Sequence, residues 1–185
     1  MSVFPKPYAD FVARLRVTTG FLLVAAFAWF SQPNLASLLY GLPISILGLL
    51  LRAWATGHLE KNLRLAESGP YAYVRNPLYV GTLLVAAGLV IATRRWLLAA
   101  LFATVFILIY LPVVELEEQH LTELFPNFRV YAQRVPQFFP SFNAKVTSQR
   151  FRWNLYVKNR EYQALLGFLV GEAFLLTKVL VPRVH

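Results

Sequence analysis

LYVGTLLVAAGLVIATRRWLLAALFATVFILIYLPVV, Leu78 to Val114, contains two apolar runs separated only by Arg94 and Arg95. A helix needs about 17–25 apolar residues to cross a bilayer core. Leu78–Thr93 falls a little short of that and Trp96–Val114 reaches it. With only a tight Arg-Arg turn between them, the two runs read as an antiparallel helical hairpin whose solvent is lipid.

The same pattern extends in both directions. Toward the N-terminus lie a run from about Leu15 to Ser31, flanked by Arg14 and Arg16, and another from about Leu35 to Gly57. The connection between them, SQPN, is short and uncharged, which predicts antiparallel neighbours. Ala25–Ala28 reads AAFA and resembles a leader cleavage site; the run is read as a retained span. A further run, about Gln163 to Val181, carries Glu172 and Lys178. The expectation is an all-α polytopic membrane bundle of about five transmembrane helices. It forms one integral membrane domain over residues 1–185, with a motif core at 69–140 and an extension at 141–185 that adds a span.

Composition agrees. The chain of 185 residues is 57% hydrophobic, where soluble domains hold about 45–50%; its mean hydropathy is +0.51. The net charge of +9 does not indicate nucleic acid, because the basic residues sit between apolar runs. The absence of cysteine excludes disulfides, thiolate nucleophiles and zinc–thiolate sites. His58 and His120 stand singly, without metal-ligand spacing, so no metal is expected. No P-loop, GxGxxG or GxSxG is present.

Lys and Arg set the orientation. Lys6, Arg14, Arg16, Lys61, Arg64, Arg75, Arg129, Arg134, Lys145, Arg150, Arg152, Lys158 and Arg160 fall on one side, against Arg94, Arg95 and Arg183 on the other. The positive-inside rule then places the N-terminus in the cytoplasm. The Glu60–Pro77 loop and the tail after Val114 share that side.

Ahead of the hairpin lies GPYAYVRNPLYVG, Gly69–Gly81. Pro70 and Pro77 fix φ and remove donors, Gly69 permits left-handed backbone, and Asn76 before proline is biased to extended geometry. The result is a stiff loop. Tyr71, Tyr73 and Tyr79 offer aromatic faces with hydroxyl handles, although tyrosine is also common in interfacial belts. Arg75 reads either as an interfacial anchor or as a fork able to hold a carboxylate or phosphate. After the hairpin, Glu115, Glu117 and Glu118 appear where the fourth span is expected to leave the membrane. They read as a solvated helix end or as receivers of hydroxyl and ammonium groups. Phe125, Phe128, Tyr131, Val135, Phe138 and Phe139, interleaved with Arg129 and Arg134, suit a helix lying on the membrane surface and ended by Pro136 and Pro140.

In this order the pieces resemble the isoprenylcysteine carboxyl methyltransferase and phospholipid methyltransferase superfamily. GPYAYVRNPLYVG is similar to its GPYxYVR(H/N)PxYxG signature. LLRAWATGHLEKN, Leu50–Asn62, resembles its Arg-containing helix end, and EEQHLTELFPNFRVYAQRVPQFFP, Glu117–Pro140, its EExxLxxxFGxxYxxYxxxVPxFxP tail. Asn76 stands where many members have His, Pro126 replaces Gly and Phe128 replaces Tyr. The resemblance implies a cytosol-facing pocket for S-adenosylmethionine. In it Gly69, Pro70, Tyr71 and Tyr73 help hold the cofactor, Arg75, Asn76, Pro77, Tyr79 and Gly81 shape the pocket, and Glu117 and Glu118 bind its polar groups. Arg75 and Glu117 are the residues expected nearest the chemistry. The implied partners are a lipophilic acceptor, such as a prenylcysteine-like carboxylate or a lipid headgroup, and the lipids of a prokaryotic inner membrane. Two other readings remain at this point: a sterol-type reductase using NADPH, and a membrane protein without catalysis.

Overall fold

The computed structural model describes residues 4–141 and 149–181; Lys145 and Arg183, counted above for orientation, lie outside them. The described chain is all-helical. Its elements are α1 (Lys6–Phe30), α2 (Leu35–Thr56), a 3₁₀ turn (Gly69–Ala72), α3 (Pro77–Thr93), α4 (Trp96–Leu124), α5 (Phe128–Arg134), α6 (Trp153–Lys158) and α7 (Tyr162–Leu180). Among the described residues, α1, α2, α4 and α7 are long and apolar enough to cross a membrane, and α3 is an apolar helix of 17 residues. Large apolar side chains such as Phe21, Trp29 and Val170 point outward, as a lipid solvent allows.

Local chemistry explains the helix ends. Asn34 caps α2: its Oδ1 accepts from the Ser37 N–H at 2.8 Å, and Ser37 Oγ accepts from the Asn34 N–H at 3.0 Å, a reciprocal capping box with serine in the usual Glu position. The Asn76 carbonyl accepts from the N–H groups of Tyr79 and Val80 at 3.1 Å, and Pro77 occupies the first helical position, where no N–H is needed. Arg94 closes α3 in the left-handed region, φ 58°, which gives the two-residue turn between α3 and α4.

The chain divides into two compact units. One comprises residues 1–43, 86–120 and 170–185, and the other residues 44–85 and 121–169. In the first, Leu38, Ala92 and Leu175 form a core with Leu89 and Val179. A Cβ on Gly41 would lie 2.3 Å from the Gly88 carbonyl oxygen, so glycine lets α2 and α3 touch backbone to backbone, as small residues do between membrane helices. The middle of α4, Phe106–Tyr110, widens to a π turn. Pro112 is the cause: it has no N–H to give the Leu108 carbonyl four residues earlier, and Tyr8 Oη donates to that oxygen instead at 2.7 Å. Lys178, unexpected inside an apolar run, donates from Nζ to the carbonyls of Ala28 (2.9 Å) and Ser31 (2.6 Å) and to Ser31 Oγ (2.9 Å). It satisfies the orphan carbonyls at the end of α1.

Two expectations are modified. The helix does not end at the three carboxylates; α4 runs through them to Leu124. The surface helix predicted from Phe125 onward is confined to Phe128–Arg134, and Val135 is extended at φ −110°, ψ 120°, because Pro136 disfavours α geometry in the residue before it.

Candidate functional site

The loop Gly69–Asn76 is held on two sides by its own unit. Gly69 sits at φ 58°, and a Cβ there would lie 2.6 Å from the His58 ring. Glycine is therefore required twice, for the backbone region and for the close approach. Ser68 Oγ lies 3.0 Å from His58 Nδ1. The Gln149 amide is satisfied with its nitrogen 3.2 Å from Ser68 Oγ and its oxygen 2.6 Å from the Arg64 guanidinium. Ser68 Oγ thus bridges the Gln149 amide and the His58 ring. Burial, and then the Arg152 charge, push the His58 pKa below its ordinary value.

The tail after α5 forms the second side. The Arg75 N–H donates to the Pro136 carbonyl at 2.9 Å, the Asn76 N–H to the Gln137 carbonyl at 3.3 Å, and the Ser141 N–H to the Tyr73 carbonyl at 2.9 Å. The Tyr131 hydroxyl, buried, donates to the Tyr71 carbonyl at 2.8 Å. Tyr131 is part of a core with Phe128, Val135, Leu65, Leu121 and Phe125, so the aromatic tail carries the clamp that fixes the loop. Residues 131–141 of the tail thus bond to the loop within one unit.

The segment from Gln149 to Glu161 packs on the end of α2. The Arg152 N–H donates to the Gly57 carbonyl at 3.0 Å, and its guanidinium pairs with Glu60. Asn159 Nδ2 donates to the carbonyls of Thr56 (3.2 Å) and Leu59 (3.0 Å), covering the open end of α2.

Each site residue expected from sequence has a definite place. Pro70, Tyr71 and Pro77 are buried and give the loop its shape; Gly69, Tyr73, Arg75, Asn76 and Tyr79 are partly exposed. The Tyr73 ring lies 6.5 Å from that of Trp54. Gly81 is a packing residue: a Cβ there would lie 2.5 Å from Arg52 Cγ and 2.8 Å from the Gly48 carbonyl oxygen. Glu117 and Glu118 belong to the other unit, on α4; there Glu117 is exposed and pairs with Arg16 at 3.5 Å, while Glu115 accepts from the Phe4 N–H at 3.1 Å.

Sequence reasoning missed an ion pair. Arg52 donates from Nε to Glu161 Oε1 at 2.6 Å and from Nη2 to Oε2 at 3.1 Å. Its Nη1 donates to Thr82 Oγ1 at 2.6 Å and to the Leu78 carbonyl at 3.3 Å. The available signal was Arg52 itself, since a cation inside an apolar span needs a partner.

A family model described as phospholipid methyltransferase matches residues 15–127. The chain is 38% identical over 125 residues to the cobalt-zinc-cadmium resistance protein CzcN of Cupriavidus metallidurans, covering 57% of this chain and 58% of that one. It is 32% identical over 151 residues to the nickel-cobalt-cadmium resistance protein NccN of Alcaligenes xylosoxydans xylosoxydans, covering 74% and 70%. The chain thus spans less than two thirds of the first relative's length. No solved structure matches.

Proposed function

The chain belongs to the phospholipid methyltransferase family, and from that premise we propose that it transfers a methyl group from S-adenosylmethionine to a lipophilic acceptor at the membrane surface. The observation that carries the reading is the clamped loop. Its backbone is fixed by Tyr131 and the Pro136–Ser141 segment, while Tyr73, Arg75, Asn76 and Tyr79 remain partly exposed. Those side chains suit the donor: aromatic faces for a purine, a guanidinium for a carboxylate, and an amide for hydroxyls.

When bound, S-adenosylmethionine supplies a sulfonium methyl group open to in-line displacement. The contribution of this chain is orientation, an effect worth up to about 7–11 kcal/mol. Gly69, Tyr73 and Asn76 hold the donor, and Arg75 orients the acceptor headgroup. The nearby histidine, His58, is buried and bonded to Ser68, which suits it to support the loop rather than to take a proton. An acceptor that is already nucleophilic, such as a carboxylate, asks for no base. We place the loop on the cytoplasmic face of a prokaryotic inner membrane, in line with the distribution of Lys and Arg. The relatives' names concern metal resistance. Among the described residues no group of three or more His, Asp or Glu is placed to hold an ion.

The test is incubation of the purified chain with methyl-labelled donor and a bacterial lipid extract. Label in a lipid-soluble product is the expected result, together with a thermal shift on adding S-adenosylmethionine and none with NADPH. No labelled product and stabilisation by NADPH alone would overturn the proposal in favour of a reductase.

A further inference from the structure

A polar pocket of about 290 Å³ lies in the unit formed by residues 44–85 and 121–169, where three apolar helices end. Thr56 is the last residue of α2, Leu78 is in the first turn of α3, and Ala164 is in the first turn of α7; all three line it. The pocket therefore sits at the depth of lipid headgroups. Of the motif stretch Gly69–Gly81, only Leu78 lines it, so it is not the loop's cradle. Much of its wall comes from residues 159–164, beyond the 15–127 matched by the family model.

Its charge is unbalanced. Arg52, Lys61, Arg160 and Glu161 all line it. Arg52 and Glu161 neutralise one another through their two hydrogen bonds. Lys61 and Arg160 are exposed, and neither has an ion-pair partner among the described residues. Arg160, at φ 55°, is the left-handed residue that closes α6, its N–H donating to the Val157 carbonyl at 3.0 Å. Two free cations at headgroup depth select an anion, and a quaternary ammonium would be repelled there. Hydrogen-bonding capacity adds a second preference. Both donors of the Asn159 amide go to backbone carbonyls, so its oxygen is what it can still offer. Beside the Glu161 carboxylate, the inner wall is thus rich in acceptors, which favours a headgroup bearing hydroxyls.

We propose that this pocket binds the phosphodiester of an anionic, hydroxyl-bearing lipid headgroup, with Lys61 and Arg160 on the phosphate and Asn159 and Glu161 accepting from the headgroup hydroxyls. The site is independent of methyl transfer: it stands or falls without any turnover.

The experiment uses the full chain in a zwitterionic detergent and follows thermal unfolding with short-chain phosphatidylglycerol, short-chain phosphatidylcholine, glycerol phosphate and inorganic phosphate, each titrated. Phosphatidylglycerol should stabilise saturably and phosphatidylcholine should not. The double variant Lys61→Ala, Arg160→Gly should raise the apparent Kd by at least about tenfold; glycine is chosen because it keeps the left-handed backbone. Arg129→Ala, an exposed cation outside the pocket, should leave the Kd unchanged. Should the double variant fail to fold, Lys61→Ala alone must weaken binding and Lys61→Arg must restore it. Equal stabilisation by phosphatidylcholine, or unchanged phosphatidylglycerol binding in the Lys61 variants, overturns the site. Saturation by glycerol phosphate or inorganic phosphate at the same concentrations as the lipid overturns the assignment to a lipid and gives the pocket to a soluble phosphate.

Discussion

Removal of the Glu161 carboxylate isolates the contact that joins the start of α7 to α2 and α3. The Glu161 side chain is 8% exposed and that of Arg52 22%. In Glu161→Ala the Nε and Nη2 donors of Arg52 lose their acceptors, whereas Nη1 keeps Thr82 and the Leu78 carbonyl. Breaking a fully buried ion pair costs about 3–5 kcal/mol because one charge is left uncompensated. Water reaching the open side of the guanidinium recovers part of this, so the expected loss is about 2–3 kcal/mol. Arg52→Ala should cost about 3–4 kcal/mol, since the more deeply buried partner is then the one stranded. Replacing both at once, Arg52→Met with Glu161→Leu, should come within about 1 kcal/mol of the natural chain, because no charge is then left buried. The assay is reversible unfolding in mixed micelles, followed by fluorescence of the four tryptophans. A cycle of Arg52→Ala and Glu161→Ala should give a coupling of about 2 kcal/mol. If Glu161→Ala cost less than about 0.5 kcal/mol, or the double replacement cost as much as the two alanine variants added, the pair would not be what holds these elements together.

Gly69→Ala must accept both a left-handed backbone and a Cβ 2.6 Å from the His58 ring; it should destabilise the loop by about 1–2 kcal/mol, and an unchanged melting temperature would contradict the packing. Because burial and Arg152 depress the His58 pKa below 6.5, its contribution to stability is complete above about 6.5 and declines as pH falls toward the lowered value; His58→Asn should flatten the stability profile in that window, and an unaltered profile would assign the dependence elsewhere. Arg75→Lys keeps the charge and loses the fork, so turnover should fall while donor affinity stays near that of the natural chain; full turnover would leave Arg75 as an interfacial anchor.

The helices were legible because their signals are local. Apolar length marks α1, α2, α4 and α7 whatever they pack against, and Asn34, Pro77 and the Arg94–Arg95 turn announce their ends by chemistry contained within a few residues. The stiffness of Gly69–Pro77 was equally readable, since proline and glycine restrict or free the backbone on their own. Partners were not readable. Glu161 lies 109 residues from Arg52, and Tyr131 lies 60 from the carbonyl it holds. In a span packed among other helices, periodicity reports which residues are apolar but not which polar group another helix will bring. Lys178 reads in sequence only as a charge inside an apolar run and folds as the cap of α1; at Gly81 only the fold shows that a Cβ would meet Arg52 and the Gly48 carbonyl oxygen. Such roles exist only once the chain has folded, because a buried charge or a bare backbone oxygen is satisfied by whichever distant donor the packing places beside it.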